Sequence, residues 1–325
     1  MKETLLPLSI IAAFVLFCYL LRNYWSRSKW FFRLVLVFAT TILFLLSIFS
    51  GIGIWWYKLR GQPQAKQEQL FPGVWYYRTV HQIPRRIVLH IVKIDLKNNN
   101  LRFLVTPPNS TNKQDLLAQT TSTFLHKYKL NIAINGDYFS PWIYKSFWNY
   151  YPRSGDPVKP SGIAISNGKA YAHKILTPFS TLYIDKQQQL SLGQRPKTIS
   201  QAISGQRLLL KDGKVNPILL GKDPHFSQIH PRTAIGLNQN NNTLFLLVAD
   251  GRQPNYSMGL TGMEIVYFLQ KYGATDIMNM DGGGSSTLVI QDQQGIERVL
   301  NTPLHFWPGI ERPVANHLGV QILPP

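Results

Sequence analysis

Two apolar runs open the chain, Leu5 to Leu21 and Leu34 to Tyr57, and beyond them apolar and polar residues exchange over short stretches. The first run covers about 17 residues interrupted only by Pro7 and Ser9, and the second is long enough to cross a bilayer core with tilt. Both are predicted to be transmembrane helices. The loop between them, RNYWSRSKWFFR, sets Arg22, Arg27, Lys29 and Arg33 close to both helix ends, with Trp25 and Trp30 suited to the headgroup layer. The positive-inside rule puts this loop in the cytoplasm and everything after Tyr57 outside. A cleaved signal peptide fits the first run poorly, because the n-region is only Met1 to Thr4 and no A-x-A-like site follows. The expectation is an integral protein of a bacterial inner (plasma) membrane, held in lipid by two helices within residues 1–60, with its C-terminal domain extracytoplasmic.

A polar, Gln-rich stretch at 61–70 reads as a linker. Beyond it strand-like segments recur: RIVLHIVKIDL (86–96), LRFLVT (101–106), NIAIN (131–135), STLYID (180–185), RTAIGL (232–237) and TLFLLVAD (243–250). NQNNN between the last two is a hairpin signal. Helical patterns are confined to Lys113–Tyr128 and Thr261–Tyr272, the latter stopped by Gly273. The fold class expected is α+β: a single domain over 71–325 with a mixed, largely antiparallel β-sheet and few helices, preceded by the two transmembrane helices.

Charge sharpens this picture. The chain carries 34 Lys and Arg against 16 Asp and Glu, a formal +18, with 45% hydrophobic residues, which excludes a disordered chain. From Phe71 onward the balance is 26 basic to 14 acidic residues, so an anionic neighbour or a phosphorylated substrate is expected. Nucleic acid is not, since no recognisable module or Lys/Arg run is present. Cys18 is the single cysteine, so no intrachain disulfide forms and the domain relies on its core.

Candidate chemistry concentrates in four segments. NIAINGDYF ends a strand at Asn135, Gly136 and Asp137, where polar side chains project from a sheet edge; an ordinary Asn-Gly-Asp turn reads the same way. HPRTAIGL opens a strand with Arg232, and VADGRQPNYSMGLTGMEI leaves one at Asp250, passes Arg252 and enters a helix near Thr261. Two guanidiniums at paired strand ends suit a bidentate hold on phosphate. Glu264 fits either catalysis or a capping box with Thr261. The fourth segment, DIMNMDGGGSSTLVI, is the most specific: Asn279 and Asp281 precede Gly282, Gly283 and Gly284, and Ser285 follows. Three glycines in a folded domain imply positive φ angles or a close approach, and a nest of inward N–H groups there would bind an anionic oxygen. No Gly-Lys-Ser/Thr follows, so it is not a P-loop, and no G-x-S-x-G marks a nucleophile elbow.

INGDYF, HPRTAIG, the ADGR turn, SMGLTGMEI, GATDIMNMDGGGSS and RPVANHLGV at 312–320 follow the order and spacing of the phosphodiester glycosidase family, which the chain from about Arg86 to Leu323 resembles. The family often has a second Gly where Asp137 stands. The resemblance implies hydrolysis of the bond between a sugar's anomeric carbon and a phosphodiester oxygen, in a glycan, wall polymer or lipid-linked saccharide. A phosphate leaving group needs charge neutralisation more than protonation, which Arg232, Arg252 and the glycine nest would supply. The carboxylate that attacks C1 or activates water is sought among Asp281, Glu264 and Asp250, with Asp281 first. Asn135, Asp137, Asn279 and Ser285 would hold substrate oxygens, and His230 is either a general acid or a packed imidazole. No cofactor and no metal site are assigned, though Asp250, Glu264 and Asp281 could together hold Ca²⁺ or Mg²⁺. A non-catalytic module that binds phosphorylated glycans or anionic headgroups is the alternative.

Overall fold

The computed structural model describes residues 15, 19, 22, 30–98, 100–109, 116–146, 148–172, 180–221 and 223–323. The chain divides into two compact units, Met1–Arg60 and Gly61–Pro325.

In the first unit the helix Trp30–Leu59 contains Phe32–Gly53, 22 residues of mean hydropathy 2.4, long and apolar enough to cross a membrane. Among the described residues it is the single helix with that property, and a signal sequence would share it. The expected pair of spanning helices is therefore corrected to one candidate. The run Leu5–Leu21 lies outside the described residues except for Val15 and Tyr19. Its length is at the lower limit for a span, and Pro7 removes a backbone donor from it. The two-helix anchoring in lipid and the integral inner-membrane location rested on that pair, and both fall with it.

In the second unit an eight-stranded sheet runs in the order Lys66–Phe71, Val74–His81, Ile87–Asp95, Thr243–Ala249, Arg232–Leu237, Asp276–Asn279, Arg207–Lys211, Lys214–Val215. A five-stranded sheet follows the order Glu297–Val299, Leu288–Gln291, Ile132–Asn135, His317–Ile322, Leu101–Val105, and a second is built from Lys169–Ala172, Ala164–Ser166, Gln201–Gly205, Ser180–Ile184 and Leu190–Leu192. Neighbouring strands are antiparallel throughout these three sheets, including the expected hairpin, in which Arg232 pairs with Ala249 and Leu237 with Leu244. Helices are few, as the sequence pattern predicts. Of the Lys113–Tyr128 pattern only Thr121–Lys127 is helical; Leu116–Leu117 is extended, and 110–115 lie outside the described residues.

The central strands read as unbroken apolar runs because both of their faces are covered. Along Ile87–Asp95, Val92 and Ile94 join a core shared with Ile132, Ile134, Leu288 and Leu318 of the five-stranded sheet. Leu89 and Ile91 point the other way, into a second core closed by Ile265, Val266 and Leu269 of the helix Gly262–Lys271. That helix starts on a capping box, with the Thr261 side chain accepting from Glu264 N–H and the Glu264 carboxylate accepting from Thr261 N–H. Two rigid strand ends, Asn135 and Asn279, emerge at one place between the layers, where Asp281 N–H donates to the Gly136 carbonyl at 3.1 Å.

Candidate active site

Asp281 follows the strand Asp276–Asn279 and is fixed from both sides. Its carbonyl accepts from Asn135 Nδ2 at 2.7 Å, and Asn135 Oδ1 accepts from Thr233 Oγ1 and Thr287 N–H. All hydrogen-bonding atoms of the fully buried Asn135 amide are thus spent on locking the Asp281 and Thr287 backbones together, which makes it a brace. Burial pushes the Asp281 carboxyl up to about 6, while a hydrogen bond from Ser285, the Arg312 charge and the Gly282 N–H work to lower it.

The glycine run serves close approach. Gly283 N–H donates to Pro231 O at 2.9 Å, Ser285 N–H to Gly282 O and Ser286 N–H to Gly283 O, so these donors are engaged within the protein. Gly283 holds φ at +62°, a region that a side chain disfavours, with the Arg252 guanidinium against it. A Cβ at Gly284 would collide with the Arg312 guanidinium. Positive charge at this turn therefore comes from two arginines lying over bare backbone.

Each of those arginines meets a histidine. Arg252 Nη2 faces His230 Nδ1 at 3.4 Å, and Arg312 Nε faces His305 Nδ1 at 3.4 Å. Burial and the neighbouring guanidinium bring each imidazole down to about 4, so at neutral pH both are uncharged and accept. His230 Nε2 lies 3.1 Å from Gln228 Oε1. A neutral His230 thus accepts from Arg252 at Nδ1 and donates its one proton from Nε2 to Gln228, an orienting role and not that of an imidazolium general acid. Arg312 also reaches Ser285 Oγ at 3.4 Å, and Arg252 sits on a strained left-handed backbone, φ +59°.

The other candidates separate. Arg232 is buried, and its guanidinium donates to three backbone carbonyls, Leu260, His225 and Gln228, at 3.0, 2.6 and 2.8 Å. It staples the 225–228 turn to the entry of the helix. Arg232→Met is expected to cost about 2–4 kcal/mol in urea denaturation, because three carbonyls lose charged donors at once. A variant as stable as the parent would contradict this role.

Asp250 is buried and committed as well: Oδ2 lies 3.0 Å from His90 Nε2, and Oδ1 accepts from Thr302 N–H at 2.7 Å and Asn301 Nδ2 at 3.2 Å. Glu264 takes the capping role and pairs with Arg85. Burial alone would raise its carboxyl, yet the Arg85 and Thr261 hydrogen bonds hold it below the usual range. With Asp250 tied to His90 and Glu264 to Arg85, neither of these two acids joins Asp281; among the described residues no group of three or more His, Cys, Asp or Glu could hold a metal ion. Asp137, by contrast, lies close enough to Asp281 to feel its charge. Burial pushes its carboxyl well above the usual range, opposed by the Gly162 and Tyr138 N–H groups and reinforced by Asp281. Asn279 Nδ2 donates to Met280 O, while its Oδ1 is buried with no described hydrogen-bond donor.

Arg312 was not among the residues singled out by sequence reasoning, although RPVANHLGV begins with it. Its partners, Gly284, Ser285 and Trp142, are distant in sequence, and nothing local in that segment marks an anion site.

The model of the family described as phosphodiester glycosidase matches residues 128–321. The chain belongs to that family. No curated protein matches it in sequence. Among solved structures it is similar to the zebrafish N-acetylglucosamine-1-phosphodiester alpha-N-acetylglucosaminidase catalytic domain auto-inhibited by its pro-peptide, with TM-score 0.56, 20% identity and coverage of 81% of this chain and 85% of that one. It is also similar to a hypothetical protein from Synechocystis, with TM-score 0.54, 14% identity and 79% and 64% coverage. A putative exported protein from Burkholderia pseudomallei follows at TM-score 0.50, 14% identity and 74% of each chain. At these identities the likeness is one of fold. The matched span of this phosphodiester glycosidase domain contains Asp137, Arg252, the glycine turn with Asp281, and Arg312.

Proposed function

We propose that this phosphodiester glycosidase hydrolyses the C1–O bond of a sugar-1-phosphodiester, with Asp281 as the carboxylate that acts at the anomeric carbon. The observation that carries the reading is the pairing of one perturbed carboxylate with two guanidiniums on a single glycine turn. An anion-binding module gains nothing from a carboxylate beside its arginines, whereas bond cleavage at C1 needs both. Water supplies the hydroxyl that ends on C1 and a proton, and the phosphate leaves as a monoester. Asp281 either attacks C1 or takes the proton from that water. Arg252 and Arg312 meet the negative charge that grows on the phosphate as the bond breaks, so no strong general acid is required at the leaving oxygen. Burial, with Asp281 nearby, raises the Asp137 carboxyl and so disfavours a second negative charge beside Asp281, which keeps the site attractive to a phosphate.

The pH profile tests the assignment. Asp281 is active as the carboxylate, and its folded value is raised, so kcat/KM should climb as pH rises through about 6 and level off above it. An activity that instead falls across that interval would require a protonated Asp281 and contradict the role given to it.

A further inference from the structure

Beside Arg312 the chain builds an apolar platform that the chemistry at C1 does not use. The segment 139–152, FSPWIYKSFWNYYP, carries Lys145 as its one charged side chain and folds back as a hairpin in which Ile143 pairs with Tyr151 and Tyr144 with Tyr150. The Arg312 guanidinium lies 5.4 Å over the Trp142 ring. Trp142 stacks with Tyr144 at 9° between planes, Tyr144 stacks on Phe306, and Tyr150 meets Phe306 edge-on at 4.7 Å. Yet apolar surface of this hairpin stays in solvent: Trp142 is 52% exposed, Ile143 is exposed, and Trp148, in the loop between the two short strands, is 81% exposed. Such a patch beside a site is a place where something apolar binds.

We infer that the platform takes the alcohol half of the substrate, and that this alcohol is a hydrocarbon chain, alkyl or prenyl. The inference rests on the hydrolase reading above. Two features choose the occupant. The platform continues directly from the phosphate clamp, since the same guanidinium covers Trp142 and reaches Ser285, so a ligand with an anionic phosphate and an apolar tail matches both parts at once. A second sugar would also stack on Trp142, but it needs hydrogen-bonding groups around the ring for its hydroxyls. Here Tyr144 OH donates to His305 O and Tyr151 OH to Pro157 O, so these two phenols already serve the protein, and the exposed Trp142 and Ile143 side chains present apolar surface to the ligand.

The test uses the full chain and the N-acetylglucosamine 1-phosphodiesters of methanol, n-hexanol and the 6-hydroxyl of glucose. The expected result is a kcat/KM for the hexyl diester at least about tenfold above the methyl diester, given the methylenes removed from water, with that ratio falling towards one in Trp142→Ala and in Trp148→Ala. Equal values for hexyl and methyl, or the glucose diester as the best substrate, would overturn the inference. Titration with hexyl phosphate and methyl phosphate separates it from the hydrolase reading. If no diester is cleaved but hexyl phosphate binds more tightly than methyl phosphate in the parent and not in the tryptophan variants, the platform stands and the hydrolase reading fails. Equal binding of the two phosphates overturns the platform whatever the turnover.

Discussion

Replacing Asp281 with Asn is expected to lower kcat on a sugar-1-phosphodiester by roughly 10³–10⁵-fold, the range seen when a catalytic carboxylate or its partner is removed. The substitution keeps the volume of the side chain, and the amide oxygen can still accept from Ser285, so the strand end braced by Asn135 should hold its shape. What is lost is the group that can attack C1 or receive a proton, and an amide does neither. Thermal unfolding close to that of the parent would show that the loss is chemical. A variant retaining kcat within about tenfold would move the carboxylate role away from Asp281, and Asp137, the other acid at this strand edge, would be the next to replace.

Removing the charge of Arg312 has the second largest expected effect. Arg312→Gln takes away a guanidinium that lies over Gly284, reaches Ser285 and helps hold Asp281 ionised. If it neutralises charge that grows on the departing phosphate, the loss falls on kcat as well as KM and amounts to about 2–4 kcal/mol, comparable to removal of a preorganised oxyanion donor. A second consequence has a fixed sign. Because the Arg312 charge lowers the Asp281 carboxyl, its removal should shift the acidic limb of the pH profile to higher pH. A purely structural role for Arg312 would leave that limb in place. An unchanged kcat with an unmoved limb would mean that neither phosphate nor Asp281 feels this guanidinium.

The sequence was informative wherever local pattern and local structure coincide. Ile87–Asp95 and the Arg232–Leu237/Thr243–Ala249 hairpin are strands because β-branched and aliphatic runs sit between turn signals, and burial on both faces only strengthens that pattern. The Thr261–Glu264 capping box was visible as one of two readings of the same spacing, and the structure places Glu264 there, with Arg85. What was hidden depended on contacts between distant segments. Arg232 opens a strand and looks free in one dimension, yet the carbonyls of Leu260, His225 and Gln228 close around it. Arg312 becomes part of the site only because the chain returns it to Gly284, more than two dozen residues earlier in sequence. The aromatic hairpin at 143–151 has no turn signature strong enough to separate its two-residue strands, and its importance comes from contacts with His305 and Phe306. At the other end of the chain, hydropathy alone suggested two spanning helices where the described residues contain one candidate.

The position of bond cleavage tests the central claim most directly. Hydrolysis of a sugar-1-phosphodiester by the full chain in ¹⁸O-labelled water distinguishes attack at carbon from attack at phosphorus. Cleavage of C1–O, through water directly or through a glycosyl intermediate on Asp281, is expected to place the label in the free sugar and none in the phosphate monoester. Label in the phosphate would mean that water attacks phosphorus and that the arginines and Asp281 serve a different reaction.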